Sequence, residues 1–180
     1  MDARNGKSVT ETISDHSLFA YLSSITVHTL NKRAFSYNLV ESLASAEVSY
    51  HSFTVSSTKD VIIFLREITV SAGPVEINTL IGATYTSGTV VAALNSWAGE
   101  SSSESVIQSG LVGVTGGTIS NNDFIPSAGN KIGGFSESGG IVILPKGFEF
   151  IVEITNSSNQ TNKIGFFTTF AEIDLDFLGV

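Results

Sequence analysis

From Ala34 onward, apolar and polar positions alternate as they do in half-buried strands. In "AFSYNLV" (34–40), Phe35, Tyr37 and Leu39 share one side. "EVSYHSFTV" (47–55) also alternates, but Val48 and Tyr50 fall out of phase with Phe53 and Val55. That slip predicts a bulge near His51-Ser52. "DVIIFLREITV" (60–70) is apolar almost throughout, as in a strand covered on both faces, and Gly73-Pro74 breaks it. "VEINTLIGATYT" (75–86) and "TVVAALN" (89–95) follow, parted by Ser87-Gly88, and "VIQSGLVGV" (106–114) is a further short strand. "ILPKGFEFIVEITNSSNQ" (143–160) starts on a Pro-Lys-Gly turn and, with "KIGFFTTFAEIDLDF" (163–177), reads as an antiparallel hairpin. Within it Phe148, Phe150, Val152 and Ile154 face one way; Glu149, Ile151, Glu153 and Thr155 face the other.

About eight strands, with a turn signal roughly every 8–12 residues and no convincing long helix, predict an all-β sandwich or barrel. One long excursion among eight strands favours a jelly-roll-like sandwich, whose connections cross between two sheets. Two regions depart from the strand pattern. Residues 1–33 are polar and poor in glycine. "DHSLFAYLSSI" (15–25) is either a short helix capped by Asp15, with Leu18, Leu22 and Ile25 at helical spacing, or an extended arm with a few anchors. "NSWAGESSSES" (95–105) and "GGTISNNDFIPSAGNKIGGFSESGG" (116–140) are rich in Gly, Ser and Asn and read as long loops. The expected organisation is an arm or anchor segment over 1–33 and a β-sandwich domain over 34–180.

Composition narrows the partners. Charged residues make up only 14% of the 180-residue chain, against roughly 25% in an average soluble protein, so hydroxyls and amides dominate the expected surface. The net charge of −8 divides unevenly: +1 over residues 1–33 and −9 over residues 34–180. An acidic body repels phosphates, so no nucleic-acid partner is expected. The chain has no Cys, which excludes disulfides and thiolate metal sites. No apolar run approaches the roughly 20 residues of a membrane span, and "MDARNGKSVTETISDHS" has no apolar core of a secretory signal. No membrane partner is expected, and synthesis in a cytosol is, the chain staying there or leaving inside a particle. Asn156-Ser-Ser and Asn159-Gln-Thr match a glycosylation pattern but read as turn residues.

Catalytic signatures are sparse. His16, His28 and His51 share no metal-ligand spacing and read as surface or strand residues. No Ser lies in a nucleophile elbow, and the glycine clusters lack a following Lys-Ser/Thr. Glu172, Asp174 and Asp176 share one strand face by their period of two. That is the pattern of a calcium site or, in the favoured reading, of a solvated strand face. A glycosidase-like pair drawn from Glu100, Glu104, Asp123 and Glu137 is the weakest reading. No enzyme, cofactor or metal is therefore expected. The apolar residues set in the polar arm and loops are the candidate interface residues: Leu18, Phe19, Tyr21, Leu22, Trp97, Phe124 and Phe135. Trp97 with the loop 115–140 is also the candidate sugar platform.

The order of motifs resembles a family of small jelly-roll virion proteins of tailed bacteriophages, of the head decoration (cement) type. Gly88, Thr89 and Asn95 fit its strand-ending "sGT…N" segment. Leu144, Pro145, Gly147, Phe148, Phe150, Ile154, Thr155 and Asn156 fit its "iLpp(g)txYlixitN" strand, with Phe150 where Tyr is usual. "NSWAGE" lacks the Arg that often follows the first motif, and residues 1–33 lie outside the match. The resemblance implies a protein of the outer head surface, bound to the major capsid protein and to copies of itself, as a trimer or in several copies between capsomers. A receptor- or glycan-binding module of a phage tail or fibre is the alternative.

Overall fold

The structure, a computed structural model, describes residues 33–96, 102–126, 133–137 (backbone only) and 142–174. Among these the chain forms twelve strands and no helix: β1 (Ala34–Leu43), β2 (Val48–Thr54), β3 (Asp60–Val70), β4 (Val75–Thr84), β5 (Ser87–Val91), β6 (Leu94–Asn95), β7 (Val106–Val112), β8 (Thr115–Ile125), β9 (Gly133–Glu137), β10 (Val142–Leu144), β11 (Glu149–Asn156) and β12 (Asn162–Ile173). One sheet has the order β10-β3-β12-β1-β6, with β9 also paired to β3; the other has the order β5-β7-β2-β11-β4-β8. All pairs are antiparallel.

Eight of these strands make a sandwich frame, though not the eight read from the sequence, since β8 and β10 take the places of 89–95 and 106–114. β1-β12-β3-β10 faces β2-β11-β4-β8, and the chain changes sheet at every step except β4 to β8. That is the strand order of a jelly roll. The insertion between β4 and β8 widens both sheets. β5 and β7 extend one beyond β2, and β6 extends the other beyond β1. "TVVAALN", read as one strand, is thus split between two sheets at Ala92-Ala93.

Aromatic residues from both sheets fill the interior. Phe53 of β2 stacks on Phe150 of β11 at 5.6 Å and meets Phe170 of β12 edge-on at 5.1 Å. Val152 and Ile154 join this core, whereas Ile151 faces outward. It is buried there in a second cluster with Leu80, Ala83 and Leu111, covered in part by Tyr50, Tyr85 and Val114. The facing of "GFEFIVEIT" is therefore as its alternation predicts.

Its partner is not. β11 pairs with β2 and β4, while β12 pairs with β1 and β3, so residues 157–161 form a crossing between sheets and not a hairpin turn. The predicted bulge at His51-Ser52 is also absent, because β2 keeps continuous register with both β11 and β7. Ser49 and His51 occupy inward positions, and Tyr50 caps the outer cluster. Polar residues inside and an aromatic residue outside produced the apparent slip. Register shifts occur instead at Thr79/Leu80, Ser87/Thr89 and Thr169/Phe170. Part of the predicted 116–140 loop is the eleven-residue strand β8.

Candidate functional site

Three groups of polar or reactive side chains stand out. The first lies on the inner face of the sandwich. His51 is buried, and its Nε2 lies 3.0 Å from Glu41 Oε1 and 3.2 Å from Ser49 Oγ. Ser49 Oγ donates to Glu41 Oε2 at 2.7 Å, so its one proton is taken, and Nε2–H is the donor to both neighbours. Nδ1 is buried with no hydrogen-bond partner. A Ser-His-Glu relay needs the carboxylate on Nδ1 and the serine donating to Nε2. Here both crowd one nitrogen and the serine donates to the carboxylate. The geometry ties β1 to β2 and cannot pass a proton from serine to histidine. Burial pushes the Glu41 carboxyl up, but the hydrogen bond and charge of His51 and the Ser49 hydroxyl together hold it below its ordinary value.

The second group surrounds Glu172. This carboxylate is buried and not, as expected, on a solvated face. Oε1 accepts from Ser105 N and Ser103 Oγ, both at 2.7 Å, and Oε2 accepts from Glu104 N at 3.1 Å. Three hydrogens point where a cation would sit, so Glu172 organises the approach to β7. Asp174 lies past the end of β12 beside Lys146 (3.6 Å) and Lys59 (4.0 Å). Among the described residues no group of three or more acidic or histidine side chains could hold a metal.

The third group is built on β8, the edge of its sheet. Thr115 to Asn122 are all exposed. Register with β4 places Phe124 opposite Glu76 and Ile119 opposite Leu80, both on the outer face, where they are 60% and 56% exposed. Asp123, the one charged residue of β8, instead lies on the inward side. Its Oδ2 accepts from Asn121 Nδ2 at 2.9 Å and from Arg66 Nη2 of the facing sheet at 3.5 Å. Asn122 is also fixed, donating to Asn78 Oδ1 at 2.6 Å and Glu76 Oε1 at 2.9 Å.

Beside β8, the two sheets part to leave a cleft of about 260 Å³. Ile63, Ile81, Val142, Leu144, Phe148 and Phe150 form its apolar wall; Arg66, Thr79, Ser120 and Asn121 supply its polar atoms. Ile81 and Val142, from opposite sheets, are 39% and 43% exposed at its lips. This cleft was not anticipated. Its sequence signal is Arg66, the only basic residue in the largely apolar run 60–70.

Of the candidate interface residues, Phe124 stands exposed on β8, and Phe135 lies on β9 at the register position opposite Ile68. Leu18, Phe19, Tyr21, Leu22 and Trp97 lie outside the described residues, as do His16, His28, Glu100 and Asp176. The remaining acids of the hydrolase reading lie on different elements. Glu104 accepts from Thr58 and Ser56 hydroxyls, which hold its carboxyl below its ordinary value, whereas Asp123 is bound to Arg66. Glu137 lies on β9 at the register position opposite Arg66. No helix among the described residues is long and apolar enough to cross a membrane. No protein-family model matches the chain, and no curated protein matches it.

Proposed function

We propose that the protein is a structural virion protein of a tailed bacteriophage that decorates and cements the outer surface of the head. The observation that carries this reading is β8: eight consecutive exposed residues on a sheet edge, with Ile119 and Phe124 held out to solvent. A long exposed edge is a template for another chain, and on β8 the protection is confined to the inward-facing Asp123 and the bulge at Ser120. Two further observations support it. The jelly-roll order agrees with the resemblance carried by Leu144, Pro145, Gly147 and Asn156. The reactive side chains described above, His51, Glu41 and Glu172, are spent on holding strands and loops together.

In this reading the partners are the major capsid protein and further copies of the chain, and residues 1–33 grip the capsid. The +1 charge of that segment, against −9 for the rest, suits it to an acidic neighbour. The test is co-sedimentation of the full chain, and of a chain lacking residues 1–33, with undecorated heads. The full chain is expected to pellet with heads and the truncated chain to stay in solution with an unchanged circular dichroism spectrum. Equal binding by both overturns the role of the segment, and no binding by either overturns the head reading.

A further inference from the structure

The β8 edge and the cleft beside it form one surface, because Ser120 and Asn121 belong to both. We propose that this surface takes an extended segment of a partner protein, which adds as a strand outside β8 and seats one large apolar side chain in the cleft. The proposal deepens the assembly reading and rests on it for the nature of the occupant.

Each feature restricts that occupant. An edge strand offers main-chain donors and acceptors in a row, here with one break at the Ser120 bulge, and extended backbone is what satisfies them. Thr118 to Asn122 carry no charge that would repel an incoming strand. Their side chains are small or amide-bearing except Ile119, so a strand can approach closely. The cleft, at about 260 Å³, lies below the roughly 300–1,000 Å³ of sites that enclose a free small molecule, and it suits a single anchoring side chain. Its wall is made of six apolar side chains, and two of them, Ile81 and Val142, are left in water at the lips. Covering both removes apolar surface from water at the point where an added strand passes. Arg66 is already held at the cleft by Asp123, so the polar side of the site is set before the partner arrives. Around this surface the sequence and register place three acids, Glu76, Asp123 and Glu137, against one base, Arg66, so the segment that docks carries Lys or Arg beside its apolar anchor.

The test uses the full chain and four synthetic peptides. Each alternates Thr and Val, ends in Lys on both sides, and carries Leu, Phe, Arg or Gly at its centre. Binding is followed by fluorescence anisotropy, and the bound surface by amide hydrogen exchange. The Leu or Phe peptide is expected to bind at least about tenfold more tightly than the Gly and Arg peptides, the size of a single anchor contribution. Bound peptide is expected to slow exchange at residues 118–124. Ile81→Arg and Val142→Arg, on opposite lips and both already solvent-facing, should each abolish the preference for Leu or Phe with little change in melting temperature. Equal binding of all four peptides, or binding that leaves β8 exchange untouched, overturns the proposal. Concentration-dependent self-association that protects β8 without any peptide also overturns it, because the occupant is then a second copy. The measurement needs no particles, so its failure removes this docking surface and leaves head binding to be judged separately.

Discussion

The side-chain amide of Asn156 donates to the carbonyl oxygen of Leu43, 113 residues earlier in the chain, at 3.0 Å. The same Nδ2 reaches Ala44 O and Gln160 O, both at 2.9 Å, and Oδ1 accepts from Ser158 N and Ser158 Oγ. Asn156 is wholly buried. One side chain therefore joins the β1–β2 turn to the crossing between β11 and β12, which lie in opposite sheets. Asn156→Ala leaves several buried main-chain groups without partners and is expected to cost about 3 kcal/mol, near the upper end for ordinary substitutions. For a chain of this size that lowers the melting temperature by roughly 6–12 °C. Asn156→Asp should be no better, since it loses both donors. Urea denaturation followed by circular dichroism measures either loss, and a change below about 0.5 kcal/mol, typical of surface sites, contradicts the assignment.

Acid sensitivity follows from Glu41. Its folded carboxyl is held below the ordinary value of 4.5, because the contacts from His51 and Ser49 outweigh burial. A depressed carboxyl contributes stability that is present above its unfolded value and is lost as pH falls through its folded one. The wild-type urea midpoint should therefore fall as pH drops below about 4.5. In Glu41→Gln that part of the acid limb should be shallower. Parallel acid limbs in the two proteins would show that Glu41 does not contribute.

Glu172 sets the approach to β7 through three donors. Glu172→Ala should speed amide exchange at Ser105 and cost about 1.5–3 kcal/mol, the range for hydrogen bonds to a charged group. Because those donors already point at the carboxylate, excess chelator or added calcium should leave the melting temperature of the wild type unchanged. A calcium-dependent rise that disappears in Glu172→Ala would restore the metal reading.

Phe124 is 60% exposed, so Phe124→Ser should change stability by less than about 0.5 kcal/mol, as is usual for surface substitutions. Its effect is expected in assembly: weaker retention on heads at unchanged fold. Wild-type retention by Phe124→Ser removes this residue from the interface.

How far the fold was legible depends on which side of each strand is covered. Runs with a clear inside and outside, such as Phe150, Val152 and Ile154 against Glu149 and Glu153, gave both strand and facing. Strand partners were less legible, because a short polar link such as residues 157–161 suits a hairpin turn and a crossing between sheets equally well. β8 escaped notice because an edge strand with both sides in water carries no alternation. Asn121, Asn122, Gly116 and Gly117 belong to residue types that strands otherwise disfavour. β2 misled for the opposite reason, since His51 and Ser49 lie inside with Glu41 while Tyr50 lies outside. The cleft was beyond reach from sequence: Ile63, Ile81, Val142 and Phe150 come from four strands that meet only in the folded sandwich.

The central claim is that the protein works by position on a phage head and not by chemistry. Gold-labelled antibody to the chain, imaged on purified particles from producing cells, tests it most directly. Label spread over the head in many copies is the predicted result; label confined to the tail or its fibres, or particles free of label, would contradict it.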